Sequence, residues 1–460
     1  MDTRFLSHNS HLETPRLFHE RDPQLKHLEG LPLRHRPELL DRFPRGTPGI
    51  YILGGGRQVG KTTLLKLWMA DLLNNDCLPE SIRFFSGELI DDHHSLIRLL
   101  QEAVEEMPAG HAGWLILDEV TYIRGWDRAV KYAADAGLLE NTVLMITGAD
   151  LALMRAARTH FPGRRGVEDF VDFHLRPLSF REAFTLERGE EMGDAAAEMG
   201  SEESSATIDA VFEAFNRYLM HGGFLTAIND LVLGGTIRTA TLATYSDWIR
   251  GDILKRGKSE HYLREILAAV VRRMGSQITW NSLAKELSID HPKTVADYME
   301  LLASMDAVFI QPALVEDRLV GAPKKARKVM FSDPFIFHAA RAWLGPGPDS
   351  FAEQILPAVS DPGQSGRLVE AVTATHFARY APTYYIKAEG EVDVAYVAEG
   401  RFWPIEVKWS ESIRPKDLKQ IAKYPNGRIL TRSKLASTVL GLPATPLPLA
   451  LLGLRGDKLM

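Results

Sequence analysis

The stretch Gly55-Gly56-Arg57-Gln58-Val59-Gly60-Lys61-Thr62 has the spacing G-x-x-x-x-G-K-[ST]. It lies between a short apolar run, Ile50 to Leu53, and a segment of helical periodicity from Thr62 onward. Glycines there let successive backbone amides turn toward phosphate oxygens, and the start of a helix adds positive potential. Lys61 is expected to reach the β- and γ-phosphates of a nucleotide and the Thr62 hydroxyl to ligate Mg²⁺, with Thr63 beside it on the first helical turn. A glycine turn with a chance lysine is the plain alternative, and the strand-loop-helix context speaks against it. In "WLILDE", Asp118 ends an apolar run, where it is expected to hold Mg²⁺ through water, and Glu119 is a candidate to polarise the attacking water. Without the lysine loop, the same pair would read as an acidic helix cap. Thr147, closing "VLMIT", is placed to sense the γ-phosphate or orient water, or is simply the last residue of a strand. Arg164 and Arg165 are candidates to neutralise charge at a neighbouring subunit's nucleotide, or are surface arginines.

A second constellation lies in "EVDVAYVAEGRFWPIEVKWS". A two-residue turn at Glu399-Gly400 sets Ala398 opposite Arg401 and Asp393 opposite Glu406, unless Pro404 forces a bulge and a slip by one. Facing carboxylates are destabilising unless a cation sits between them, and a divalent metal, Mg²⁺ or Mn²⁺, would serve. Lys408 shares the face of Glu406 and is placed to stabilise phosphate charge or position water, while Glu370 on a preceding helix completes the set. A solvated acidic hairpin, or the same fold with its chemistry lost, is the competing reading.

The elements that must position these groups alternate. Apolar runs at "IYIL", "IRFF", "WLILD" and "TVLMIT" are separated by helix-length segments, and "DFVDFHLRPLSF" supplies a fifth strand, so the first domain is a parallel α/β sheet covered on both faces. The spacing predicts an extended N-terminal arm over 1–48, an ATPase-like core over 49–182 and a helical lid over 183–258 with a flexible acidic insertion at 186–206. A winged helix follows over 259–334, and a further α/β domain over 335–460 ends in "LALLGL", read as a buried strand. In the winged helix, His291, Lys293, Thr294 and Tyr298, with wing residues Lys324, Lys325, Arg327 and Lys328, are candidates to face DNA, although packing or partner binding explains such a unit equally well.

The 460 residues are 45% hydrophobic and 25% charged, with a net charge of −6, which excludes a fibrous or disordered class and a chain coated in basic residues. Cys77 stands alone, so neither an intramolecular disulfide nor a cysteine-built zinc site can form, and a reducing cytoplasm fits. No segment reads as a signal peptide or a membrane helix.

Taken together, "GGGRQVGKTTLL", "WLILDEV", "ITGAD", "RPLSFREAF", "HGGF" and "PIEVKWS" resemble a prokaryotic family of AAA-type P-loop ATPases with a C-terminal restriction-endonuclease-like PD-(D/E)xK domain, over nearly all of the chain after residue 20. The resemblance implies Lys61 and Thr62 as nucleotide residues, Asp118 and Glu119 as the Walker B pair, and Glu370, Asp393, Glu406 and Lys408 as a nuclease-like set. Two features depart from it: Gly56 stands where proline is frequent, and the acidic insertion is atypical. The expected activity is hydrolysis of ATP with Mg²⁺, coupled to metal-dependent processing of DNA, in a chain that pairs with copies of itself and not with membranes. The alternative is an ATP switch whose C-terminal domain binds nucleic acid or a protein without cutting. A scaffold with purely structural nucleotide is the third reading, and the intact Lys61, Asp118 and Glu119 argue against it.

Overall fold

The computed structural model describes residues 2–459 except 149–150, 152–158, 162, 166–167, 169, 199–204, 411–412 and 457–458. Asp169 and residues 199–204 of the expected insertion therefore lie outside the described residues. The chain divides into two compact units, one of residues 1–176 with Ser304–Asp306, the other of residues 177–303 with 307–460.

The first unit is built on strands β1 (Gly49–Gly54), β2 (Ile82–Ser86), β3 (Gly113–Asp118), β4 (Thr142–Thr147) and β5 (Asp172–His174), all parallel in the order β2-β3-β4-β1-β5. These strands read as continuous apolar runs because helices cover both faces; β3 and β4 are buried at every residue. Ile52, Leu115 and Ile146 point into one apolar layer, and Tyr51, Leu53, Ile116 and Met145 into the other. The C-terminal ends of β1, β3 and β4 lie side by side in this order, which is where an open parallel sheet binds its ligands.

The expected extended arm is instead a series of short helical turns packed on this sheet. Phe5 joins one apolar layer, and Phe18, Leu25, Leu40 and Phe43 join the other. These five apolar residues, scattered among arginines, histidines and prolines, hold the segment down. A buried ion pair, Lys66 to Asp22 at 3.1 Å, and a bond from Lys66 Nζ to the His8 carbonyl at 2.6 Å add polar anchors.

The second unit begins with helices Phe180–Arg188, Glu190–Glu198, Ser205–His221, Leu225–Gly234 and Thr239–Lys255. The acidic insertion is thus helical over Glu190–Glu198 rather than a loop: Gly189 at φ 91° breaks the preceding helix, and Asp194 is tied by Arg181 and by Arg455 at 2.7 Å. Helices Glu260–Arg273, Trp280–Glu286 and Pro292–Ser304 follow. With them comes an antiparallel sheet ordered β6-β10-β7, from β6 (Gln277–Ile278), β7 (Val308–Pro312) and β10 (Arg327–Phe331), while β8 (Leu314–Val315) and β9 (Val320–Gly321) form a small hairpin.

After helices Pro334–Leu344 and Pro362–Phe377, strands β11 (Thr383–Lys387), β12 (Glu391–Ala398), β13 (Arg401–Lys408), β14 (Arg428–Thr431), β15 (Ser437–Val439) and β16 (Leu442–Pro446) build a mixed sheet ordered β11-β12-β13-β14-β16-β15. "LALLGL" is not the last strand. Residues Leu447–Leu452 are helical, because Pro446 and Pro448 sit at the helix start, where a missing N–H costs nothing.

Among the described residues no helix is long and apolar enough to cross a membrane.

Candidate functional site

The loop after β1 follows the conformation its glycines require. Gly55 has φ 149°, and a Cβ there would stand 2.3 Å from the Leu175 carbonyl oxygen; Gly60 has φ 97° and Gln58 φ 58°. These left-handed positions curl the loop into a nest of amides ahead of helix Lys61–Asn74. Val59 packs half-buried against the sheet, Thr63 is half-buried in the first turn, and Arg57 donates to the Tyr122 hydroxyl at 3.0 Å.

Lys61 is 5% exposed and donates to the carbonyls of Gly55 at 3.0 Å and Gly56 at 2.9 Å, with Glu119 Oε1 3.8 Å away. Burial pushes its ammonium below the ordinary lysine value, against the pull of Glu119 and Asp118. Such a cation gains from an arriving anion. Thr62 Oγ1 donates to Asp118 Oδ2 at 2.7 Å and Thr147 Oγ1 to Asp118 Oδ1 at 2.5 Å, while the Glu119 amide donates to Thr147 Oγ1 at 3.0 Å. Lys61, Thr62, Asp118, Glu119 and Thr147 are therefore brought together at the ends of β1, β3 and β4. A hydroxyl and a carboxylate within hydrogen-bond reach of one another, next to a buried ammonium, fit a magnesium ion carrying nucleotide phosphates.

The two arginines are placed otherwise. Arg165 binds Asp172 at 2.5 Å and the Val171 carbonyl at 2.7 Å, and bridges to Ile50 near the start of β1, at the far end of that strand from the phosphate loop. Arg164 pairs with Asp135 at 2.5 Å. Their guanidinium groups tie the sheet edge and a helix end within this chain.

One residue at the loop escaped the sequence reading. Asp306, in the Ser304–Asp306 segment of this unit, accepts from the Gly56 amide at 3.1 Å and pairs with His174 Nε2 at 2.7 Å. Nothing in local spacing could flag a carboxylate 250 positions along the chain.

In the second unit the hairpin takes the register set by its turn. Glu399 (φ 53°) and Gly400 (φ 71°) form it, and pairs run from Ala398 opposite Arg401 to Val394 opposite Ile405, with Ala395 opposite Pro404 and no slip. Asp393 Oδ2 accepts from the Val407 amide at 2.9 Å, and Lys408 Nζ holds Glu406 Oε1 at 2.5 Å.

The expected ligand set of Glu370, Asp393 and Glu406 is regrouped. Glu370, Glu391 and Asp393 bring carboxylate oxygens within 4.8 Å of one another, while Glu406 pairs with Lys408. Between the three stands Lys328, wholly buried, with Nζ 2.5 Å from Glu391 Oε1, 2.7 Å from Glu370 Oε1 and 3.6 Å from Asp393 Oδ1. A cation does separate these carboxylates, but it is an ammonium carried by β10. A divalent ion needs the same oxygens and would be repelled by Lys328, so the residues present do not fit a metal there.

Lys328 is held above the ordinary lysine value: burial opposes the charge, and Glu370, Asp393 and Glu391 outweigh it. Burial and then Asp393 push both Glu370 and Glu406 up, against Lys328 and Lys408 respectively. One lysine among three carboxylates leaves negative charge in excess, and a retained proton relieves it. Sequence spacing alone does not single out Glu391, although it shares the face of Asp393 two residues on, and Lys328, expected in an exposed wing, is wholly buried.

The expected DNA-facing set is corrected at two residues. Lys328 faces the acidic cluster rather than solvent, and Tyr298 is buried with its hydroxyl bonded to the Ser259 carbonyl at 3.0 Å, because both side chains sit on the inner face of their elements. His291, Lys293, Lys324 and Lys325 are exposed, Thr294 is half-buried, and Arg327 lies over the Trp280 ring at 4.5 Å.

Residues 212–346 match a domain of unknown function (DUF8612), and residues 365–438 another (DUF4143). Among solved structures the chain is similar to a Walker-type ATPase of Pyrococcus abyssi, at 14% identity, 67% of this chain, 95% of that one and a TM-score of 0.43. It is also similar to the ORC2 protein of Aeropyrum pernix, at 13% identity, 66% of this chain, 91% of that one and a TM-score of 0.34. No curated protein matches. Residues 47–184 match a family described as an AAA domain, and with the phosphate loop, Asp118 and the five-stranded parallel sheet in this order, the chain carries an AAA-type P-loop ATPase domain.

Proposed function

We propose that the protein is an ATP-driven switch: it binds and hydrolyses ATP with Mg²⁺ at the end of β1, and its C-terminal region engages DNA or a protein partner without cutting. The observation that carries the first half is the buried Lys61 beside the Thr62–Asp118–Thr147 bonds. Lys61 exchanges its two backbone carbonyls for β- and γ-phosphate oxygens, and the loop amides take further oxygens. Thr62 and Asp118 would hold the magnesium ion, which would neutralise charge on the phosphates. Glu119 orients the attacking water, and Thr147 keeps Asp118 and the Glu119 backbone in register.

The non-cleaving half rests on Lys328 among the carboxylates of Glu370, Glu391 and Asp393. A winged-helix reading of the region around Glu260–Phe331 is supported by its order of helix, strand, two helices and two longer strands around a hairpin, with Lys293, Lys324 and Lys325 offered to a phosphate backbone. Self-association through the ATPase domain and a cytoplasmic location, the latter from the lone free Cys77, belong to the same proposal.

Two assays test it. Phosphate release must depend on Mg²⁺ and vanish in Lys61→Ala. Supercoiled plasmid with Mg²⁺ or Mn²⁺, with and without ATP, must stay uncut while DNA or partner affinity changes with nucleotide; metal-dependent nicking lost in Asp393→Asn would replace the switch by a nuclease.

A further inference from the structure

Lys328 is not an isolated pairing. In the β6-β10-β7 sheet it stands directly opposite Gln277 on one side and Gln311 on the other. Residues directly opposite across strands share a face of the sheet, so the three side chains form one polar row. Each binds the acidic hairpin or its neighbour. Gln277 donates to Glu391, Lys328 reaches Glu391, Glu370 and Asp393, and Gln311 Nε2 donates to the Asp393 carbonyl at 3.1 Å and the Tyr384 carbonyl at 2.9 Å. Glu391 and Asp393, two apart on β12, present their carboxylates to the same side, and Glu370 comes from helix Pro362–Phe377. Gly275 (φ 77°) lies beside Glu370, where a Cβ would come within 3.3 Å of Oε2.

We propose that Lys328 is a built-in cation occupying the place a divalent metal would take among Glu370, Glu391 and Asp393. The Gln277–Lys328–Gln311 row is then a clamp holding β12 to the three-stranded sheet, and the cluster accepts a divalent ion only once the Lys328 ammonium is removed. The chemistry is one of exclusion. An ammonium offers three N–H donors and a single charge, already directed at three carboxylates, whereas a divalent ion needs those oxygens as ligands. Lys328 is wholly buried and the three carboxylates are only partly exposed, which leaves little water between them to let both cations coexist. This deepens the non-cleaving reading above and rests on it, but its readout is metal binding, so neither loss of ATP turnover nor failure to find a DNA or protein partner bears on it.

The test uses the full chain, nucleotide-free and stripped with chelator, titrated with Mn²⁺ and followed by electron paramagnetic resonance. Wild type is expected to show no site that depends on Asp393. Lys328→Ala and Lys328→Met are expected to gain one, with an affinity at least about tenfold above wild type, and to lose it again when combined with Asp393→Asn. Lys328→Arg, which keeps the charge, should stay metal-free. If the neutral variants fold poorly, recovery on refolding in millimolar Mn²⁺, but not in its absence, reports the same site. A wild-type Mn²⁺ site abolished by Asp393→Asn or Glu391→Gln overturns the proposal. So does failure of both neutral variants to acquire Mn²⁺, whether folded or during refolding.

Discussion

Two buried lysines, each near carboxylates, end in opposite electrostatic states. Lys61 rests on two carbonyl oxygens with Glu119 no nearer than 3.8 Å, and burial drives its ammonium down. Lys328 is surrounded by three carboxylates and is driven up. At the first site the ammonium's nearest partners are uncharged carbonyls, which leaves it open to an arriving anion; the second supplies its own counter-charge and needs no ligand. A lysine near acidic groups thus reads as a binding site or as a joint according to whether its charge is already matched.

The largest effects should separate the two lysines. Lys61→Ala is expected to lower ATP turnover by at least about a hundredfold while leaving the melting midpoint almost unchanged, because burial already disfavours this ammonium in the folded chain and its removal relieves that cost. Lys328→Ala is expected to destabilise the chain by about 3–5 kcal/mol, the usual cost of leaving a buried charge unpartnered, without a comparable loss of turnover per folded molecule. Phosphate release and thermal melting on both variants give the comparison; a Lys328→Ala protein as stable as wild type would erase it.

Glu119→Gln sharpens the nucleotide half. Glu119 is assigned to the attacking water and Lys61 to ground-state phosphates, so this variant should bind a fluorescent ATP analogue like wild type yet turn over about a hundredfold more slowly. Turnover at the wild-type rate would move the water-activating role to another residue.

Why one half of this contrast was legible and the other was not follows from where the partners lie. The phosphate loop, Asp118 and Thr147 are each tied to a strand end, and an alternating pattern of apolar runs places strand ends in a parallel sheet without knowledge of the rest. The hairpin register followed equally from the turn at Glu399-Gly400. Lys328 meets Glu370 across 42 positions and Asp306 meets Gly56 across 250, and no local period encodes such encounters. The N-terminal segment failed for a related reason: its apolar residues are too sparse for a periodic pattern, and only the cores they enter show that they are buried.

Proton dependence gives the contrast a third form. Glu370 and Glu406 have folded values raised to about 7 and about 8, above the ordinary carboxylate range. Their contribution to stability is complete below that range and is lost as pH rises through the folded values. Stability should therefore fall between about pH 5 and pH 8, by on the order of a few kcal/mol, and Glu370→Gln or Glu406→Gln should flatten the slope. Lys61→Ala should leave it as it is. A slope identical in all four proteins would remove the excess-charge account of the cluster.

The smallest expected effect concerns the carboxylate that already stands at the phosphate loop. Asp306 accepts the Gly56 amide and is one of the acidic groups that pull Lys61 upward. A negative charge here opposes the approach of nucleotide phosphates, at a cost of about 1 kcal/mol for groups in partial contact with solvent. Asp306→Asn keeps an acceptor for Gly56 while removing the charge, and should tighten ATP by roughly threefold to tenfold with little change in the rate at saturation. Gly56→Pro tests the same contact from the other side, since a proline has no N–H to donate and its ring carbons would crowd the Met305 carbonyl, 3.1 Å from a Cβ at this position. Gly56→Pro leaves the Asp306 charge in place, so it should not reproduce the tightening expected of Asp306→Asn. Weaker ATP binding in Asp306→Asn, measured by titration calorimetry without turnover, would instead make Asp306 a support that holds the loop open for its ligand.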